Sequence, residues 1–319
     1  MLKAPRSDFW RVGIVPVPIN ELNAASLSAS REQICWLPDA GPWRYLADPF
    51  GLQRSDALHV FVEAYDYRSK RANIERHEFA LDGLAWRGMS TVLDLPVHLS
   101  YPYVFEHEGE TWMLPESHQA NEVALYRGDA TLNHWKRVQP LLSGMPVADA
   151  SLVEHEGRWW MFYALVGKGG RDQRELHMAH APGLFGPWTV CDGNPLHVDL
   201  AGARPAGRPF VDDHGLLCLP VQDCSAGYGS ATRMLRFTEL NPDAARIQAL
   251  DWRLTGELAC AEFSDGLHTV SACGPLTLID VKRIDRSRMR QWLDLKRRLR
   301  RLRDSIQAPA RPDLESAAA

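Results

Sequence analysis

Four carboxylates, Asp48, Glu63, Glu116 and Asp149, stand at matched distances from the turns of a recurring hairpin motif. The motif is clearest in HLSYPYVFEHEGETWMLPES (98–117), which turns at Gly109, and in DASLVEHEGRWWMFYAL (149–165), which turns at Gly157. Looser copies surround Gly215 and Gly266, and DPFGLQRSDALHVFVEA carries Asp56 at the same place. Eight residues before these pivots stand Asp48, Tyr101, Asp149, Gly207 and Leu258; seven after stand Glu63, Glu116, Ala164, Gln222 and Cys273. Residues nearly equidistant from a hairpin turn lie together at its open end, so the four acids should gather at one mouth. Crowded carboxylates push one another's pKa upward, so one can hold a proton near neutral pH while another is ionised. Making or breaking a glycosidic bond needs that pair. Glu116 is the expected acid, Asp48 the base or nucleophile and Asp149 the group that tunes them. The competing reading makes Asp48 and Asp149 strand-end caps bonded to loop amides.

Other residues are candidates for holding a substrate. Glu63 and Tyr101 share the mouth with the three acids, and a tyrosine ring there can stack on a sugar face. Packing is the other role open to Tyr101 and Tyr103. Arg204 and Arg208 can clamp a phosphate or carboxylate or bridge to the acidic mouth. Gln222 and Asp223 can bond sugar hydroxyls, with a turn role open to Asp223. His268 lies two residues past its pivot and reads as a buried, hydrogen-bonded residue of the channel. The spacing calls for no metal and no cofactor.

The pivots are separated by 53, 48, 58 and 51 residues. A supersecondary unit repeated near every 50 residues describes a β-propeller, here with five blades. The expected fold is all-β, a five-bladed propeller over 1–282, with WRVGIVPVPI (10–19) as the N-terminal strand that completes the last blade. A basic amphipathic helix over 283–304 follows, in which Met289, Trp292, Leu295, Leu299 and Leu302 recur at helical spacing. Residues 305–319 read as a disordered tail.

Charge is unevenly placed. Lys282–Arg303 holds eleven basic and two acidic residues, +9 within a chain of net charge −4, which leaves about −13 for the body. An acidic body argues against nucleic acid; the basic helix suits an anionic membrane surface or the acidic propeller itself. The six cysteines form no CxxC pair, and no run resembles a signal peptide or a membrane span. These features point to a cytoplasmic protein, peripheral at the inner face of the membrane if the helix binds lipid.

As a set, ADPF, DASLVEHEGRWW and GPWTVCDGNPL resemble the five-bladed propellers of glycoside hydrolase family 43. The 98–117 hairpin, ARPAGR, VQDC and GLHT are similar, more closely, to the N-terminal domain of the glucosamine inositolphosphorylceramide transferases. The resemblance covers about residues 8–282. It implies a base at Asp48 and a tuning carboxylate at Asp149, with an acid glutamate in the following blade where this chain has Gln222. Two functions follow. One is a carbohydrate-active enzyme, glycosyltransferase or glycosidase-like hydrolase, working in cell-surface polysaccharide or glycolipid biosynthesis on a sugar, nucleotide-sugar or glycolipid. The other is a non-catalytic propeller that binds glycan or glycolipid beside a partner glycosyltransferase.

Overall fold

A computed structural model describes residues 6–307; residues 1–5 and 308–319, and with the latter most of the expected tail, lie outside the described residues. The repeated hairpins form five antiparallel sheets, the blades of the propeller. In the first blade Arg44–Arg54, Ala57–Asp66, Arg71–Ala80 and Trp86–Leu93 pair in chain order. The second repeats this with Ser100–His107, Glu110–Glu116, Glu122–Gly128 and Trp135–Ser143. The third comprises Val147–His155, Arg158–Leu165 and Glu175–Ala181, with short outer strands Thr189–Val190 and His197–Val198. The fourth comprises Phe210–Val211, Leu217–Asp223, Ala231–Leu240 and Ala245–Leu254.

Packing follows from the blade arrangement. A strand covered by a neighbouring blade on each face needs apolar residues at successive positions, and Ala57–Ala64 is buried throughout. Trp86–Leu93, at a blade's outer edge, alternates between exposed and half-buried residues from Arg87 to Thr91. Aromatic contacts join the blades: Phe50 meets Tyr101 at 4.7 Å and Tyr103 at 5.1 Å, and Phe162 stacks on Phe237 at 4.7 Å.

The fifth blade is built from both ends of the chain. Val270–Cys273 and Leu276–Asp285 form its hairpin; Ser7–Val15 pairs with the latter over nine positions, from Ser7 opposite Asp285 to Val15 opposite Thr277. Cys35–Trp36 completes the edge. The expected closure by an N-terminal strand is therefore observed. The fifth pivot, however, is Gly274 and not Gly266. A helical turn, Gly256–Ala259, and a loop occupy the segment read as the hairpin's first arm. Gly266 is instead wedged so tightly that a Cβ would stand 2.2 Å from the Gly229 carbonyl.

One backbone irregularity recurs. The innermost strands of the first three blades slip register between Ala47 and Phe50, Ser100 and Tyr103, and Ala148 and Ser151. At these bulges Asp48, Tyr101 and Asp149 adopt φ of +51°, +43° and +51°, a conformation uncommon outside glycine. Pro49 and Pro102 have no N–H to donate, which suits a break in the ladder. The fourth blade places Gly207 there, with φ +145° and space so restricted that a Cβ would lie 1.8 Å from the Val270 carbonyl oxygen.

Two outcomes test this architecture. Deleting residues 1–20 removes a strand bonded on both edges and should give aggregation or a loss of thermal stability of ten degrees or more, by order of magnitude. Gly207→Ala should destabilise by about 3 kcal/mol or more in chemical denaturation. A truncated protein that melts like the full chain, or an alanine variant of unchanged stability, would refute the corresponding contact.

Candidate functional site

The bulges and the hairpin ends meet at one end of the channel. Asp48, Glu63, Glu116 and Asp149 all line a cavity of about 470 Å³, as the hairpin spacing predicts. Asp48 and Asp149 reach it from bulges on innermost strands, Glu63 and Glu116 from the far ends of the second strands. Arg204 and the rings of Trp10, Tyr45, Tyr65, Tyr67 and Tyr228 also line it. Tyr45 and Tyr65 stack at 4.9 Å. The aromatic wall obeys strand periodicity. Glu63, Tyr65 and Tyr67 lie two residues apart, as do Arg6, Asp8 and Trp10, so each series presents one face. That signal was present in the sequence beside Glu63.

The carboxylates differ sharply in their partners. Asp149 Oδ2 accepts from Arg204 Nε at 2.5 Å and Gln222 Nε2 at 3.0 Å, and Oδ1 from Arg204 Nη2 at 3.2 Å. Burial drives the Asp149 pKa well above the ordinary aspartate value, and the Arg204 guanidinium, which supplies two of these three N–H donors, works against that rise. Arg204 also bonds Asp172 at 2.9 Å and stands 3.8 Å from Glu116.

Glu116, the expected acid, is a carboxylate here. Burial works against its charge, yet His118 Nδ1 at 2.8 Å, Arg204 and the Asp149 N–H at 3.2 Å outweigh it and hold its pKa at about 2. A carboxyl held that low is ionised at neutral pH, which counts against the expected role of acid. Its charge in turn raises the His118 pKa.

Glu63 has no such support. Its nearest cation-capable neighbour is His98, with Nε2 at 3.4 Å, whose Nδ1 accepts the Ala72 N–H. Burial, and then the charges of Asp48 and Glu116, drive its pKa well above the ordinary glutamate value. Asp48 is intermediate. Burial raises its pKa, His268 draws it down and Asp280 pushes it up, and the balance leaves it raised. Its Oδ1 accepts from Thr269 Oγ1 at 3.0 Å and its Oδ2 from the Tyr101 N–H at 3.2 Å.

Behind Asp48 stands a pair that the spacing argument missed. His268 Nδ1 is 2.7 Å from Asp280 Oδ2, and its Nε2 is 3.7 Å from Asp48 Oδ1. Trp10 stacks on the imidazole at 3.7 Å. Counted from the true turn at Gly274, His268 and Asp280 are six residues before and six after, near the height of the other acids. His268 is buried and hydrogen-bonded, but next to the mouth and not remote from it. Asp48, His268 and Asp280 are also the one cluster among the described residues with ligand atoms close enough to share a metal ion, all within 4.8 Å. Two of the three already bond each other.

Four of the expected substrate contacts fall elsewhere. Tyr101 is fully buried, its hydroxyl bonded to Ser151 at 2.7 Å and to Gly207, so it fixes the blades and offers no ring to a sugar. Arg208 lies over the Tyr103 ring and donates to the Val104 carbonyl, away from the cavity. Gln222, without exposure, supports Asp149 from behind. Asp223 anchors a turn, accepting from Ser225, Arg233 and Arg253. Arg204 does reach the cavity, but it is held by three carboxylates.

Comparison with known proteins places this geometry in context. The family model described as glucosamine inositolphosphorylceramide transferase 1, N-terminal, matches residues 35–260. The chain is 32% identical over 214 residues to glucosamine inositolphosphorylceramide transferase 1 of Oryza sativa subsp. indica, covering 66% of this chain and 28% of that one. To the Arabidopsis thaliana protein of the same name it is 31% identical over 208 residues, 64% and 27% of the two chains. The chain thus matches little more than a quarter of each relative's length. Among solved structures, the catalytic domain of a Coprinopsis cinerea α-L-arabinofuranosidase superposes with a TM-score of 0.55 at 11% identity, over 74% of this chain and 90% of that one. At that identity the likeness is one of fold.

The clamp yields a direct expectation. Arg204→Met leaves Asp149, Glu116 and Asp172 without their shared cation and should cost about 3–5 kcal/mol at neutral pH. Without the arginine the two buried acids gain affinity for protons in the folded state. Urea titrations should therefore show the deficit shrinking as pH falls through the carboxylate range. A deficit that is absent, or constant with pH, would contradict the clamp.

Proposed function

The chain belongs to the glucosamine inositolphosphorylceramide transferase 1 N-terminal family, and from that premise we propose that it is an enzyme that makes or breaks a glycosidic bond at the propeller mouth. The observation that carries the reading is the inequality of the carboxylates. Glu63, with its raised pKa and no cationic clamp, keeps its proton, and Asp48 shares its cavity. Glu63 donates that proton to the leaving oxygen as the anomeric C–O bond breaks. Asp48 takes the proton of the incoming hydroxyl, or itself attacks the anomeric carbon. Asp149 and Glu116 are paired with Arg204 and His118, so they stand apart from the Glu63 and Asp48 pair as supporting groups. The stacked Tyr45 and Tyr65 offer an apolar face to a sugar ring. The relatives' name is that of a transferase, which favours assembly of a glycolipid or cell-surface glycan over its breakdown.

A second reading rests on a different observation. The chain corresponds to about a quarter of its plant relatives, and the rest of those proteins is available to carry the transfer. The propeller then binds the glycan or glycolipid beside a partner glycosyltransferase.

A panel of nucleotide-sugars and aryl-glycosides, assayed with the purified protein, separates the two. For an enzyme, kcat/KM should rise with pH as Asp48 ionises and fall as Glu63 loses its proton, with both limbs displaced above the ordinary carboxylate values. Glu63→Gln and Asp48→Asn should each lower turnover by ~10² or more. Glu63→Gln should keep more activity on substrates with acidic leaving groups, which need no proton. A binding module would show saturable sugar binding with no turnover of any substrate in the panel.

A further inference from the structure

The C-terminal helix, Met289–Gln307, sits on the propeller the wrong way round for a soluble protein. A surface helix normally turns its apolar stripe to the core. Here Arg290, Asp294 and Arg297, spaced along one face, make the contacts with the body. Arg290 lines the carboxylate cavity, lies 5.5 Å over the Tyr67 ring and bonds the Arg6 carbonyl. Arg297 donates to the Tyr67 carbonyl at 3.3 Å, and Asp294 pairs with Lys70 at 3.2 Å. The opposite face carries Met289, Trp292, Leu295 and Leu299, which are 51, 60, 46 and 57% exposed. Exposed Arg286, Arg288, Lys296 and Arg298 flank that stripe.

We propose that this outward face is a docking surface for an anionic membrane, which the helix meets lying in the headgroup plane beside the mouth of the cavity. Three observations select this occupant. Large apolar side chains bounded by basic ones match the layering of an anionic bilayer surface, where a tryptophan favours the boundary between headgroup and acyl chain. A second copy seated on the same face would bring Arg288, Lys296 and Arg298 against their equivalents, a like-charge contact. No helix among the described residues is long and apolar enough to cross a membrane, and an apolar stripe confined to one face is the pattern of a helix that lies in the surface plane. Because Arg290 belongs both to the helix and to the cavity wall, the docked protein opens its cavity next to the lipid headgroups. The inference does not depend on the chemistry proposed above.

Vesicle co-sedimentation of the full chain tests it, comparing pure phosphatidylcholine with vesicles containing about 30% phosphatidylglycerol. The expected result is at least about tenfold stronger binding to the anionic vesicles at ~0.1 M salt, weakening steeply at several times that concentration. Trp292→Ser with Leu299→Ser should reduce binding about tenfold without changing the melting temperature, since both side chains point away from the body. Arg288→Gln with Lys296→Gln, a pair that leaves the apolar stripe intact, should reduce binding and flatten its salt dependence. Absence of binding, or equal binding to neutral and anionic vesicles, overturns the proposal. So does a dimer in sedimentation velocity that the Trp292 and Leu299 substitutions dissociate, which would assign the face to a second copy.

Discussion

Too much negative charge converges on one funnel for all of it to be expressed, and the arrangement of the mouth follows from that constraint. Asp48, Glu63, Glu116, Asp149 and Asp280 are buried or nearly so in the folded chain. Each taken alone would cost several kcal/mol to bury as an unpaired anion. Arg204 serves Asp149 and Glu116, and His118 completes the shell around Glu116. Glu63 has neither of these partners, and burial with the neighbouring charges pushes its pKa well above the ordinary glutamate value. Glu116 and Glu63 therefore differ because His118 and Arg204 stand beside the first and not the second.

The backbone supplies what the side chains lack. The N–H groups at the three positive-φ bulges point across the blade boundaries: Asp48 N–H to Asp280, Tyr101 N–H to Asp48, and Asp149 N–H to Glu116. Each blade thus stabilises a carboxylate of its neighbour with an amide that a regular ladder would have used within the sheet. An irregularity repeated in this way is part of the site. The fourth blade has no acid at the equivalent position, and there Gly207 accommodates the close approach of Val270 while the Tyr101 hydroxyl takes its N–H.

The repeat made much of this legible in advance. Spacing alone placed Asp48, Glu63, Glu116 and Asp149 around one mouth, because hairpin geometry converts distance from a turn into height in a blade. It erred where the motif was weakest. With Gly266 taken for the fifth turn, His268 fell two residues past the pivot and Asp280 went unnoticed, although both flank the real turn symmetrically. The roles were less accessible than the places. Glu116 looked like the acid by position, but its protonation depends on His118 and Arg204, which approach from other segments. Spacing likewise put Tyr101 at the right height yet could not reveal that a bulge turns its ring inward.

The strand Ser7–Val15 is made before any blade exists, and its partner, Leu276–Asp285, is made after nearly all of them. The strand pairing of greatest sequence separation is therefore also its seam, and loop-closure entropy makes such contacts late and slow to form. During synthesis the first four blades can assemble in the order in which they emerge, each on the previous one. Throughout that interval the leading strand offers the edge that Leu276–Asp285 will fill, rich in valine and isoleucine, to any passing chain. Ring closure is thus a kinetic liability of the newborn protein as well as the source of its permanence, and the mouth, whose wall includes Trp10 from that same strand, is complete only when the ring is.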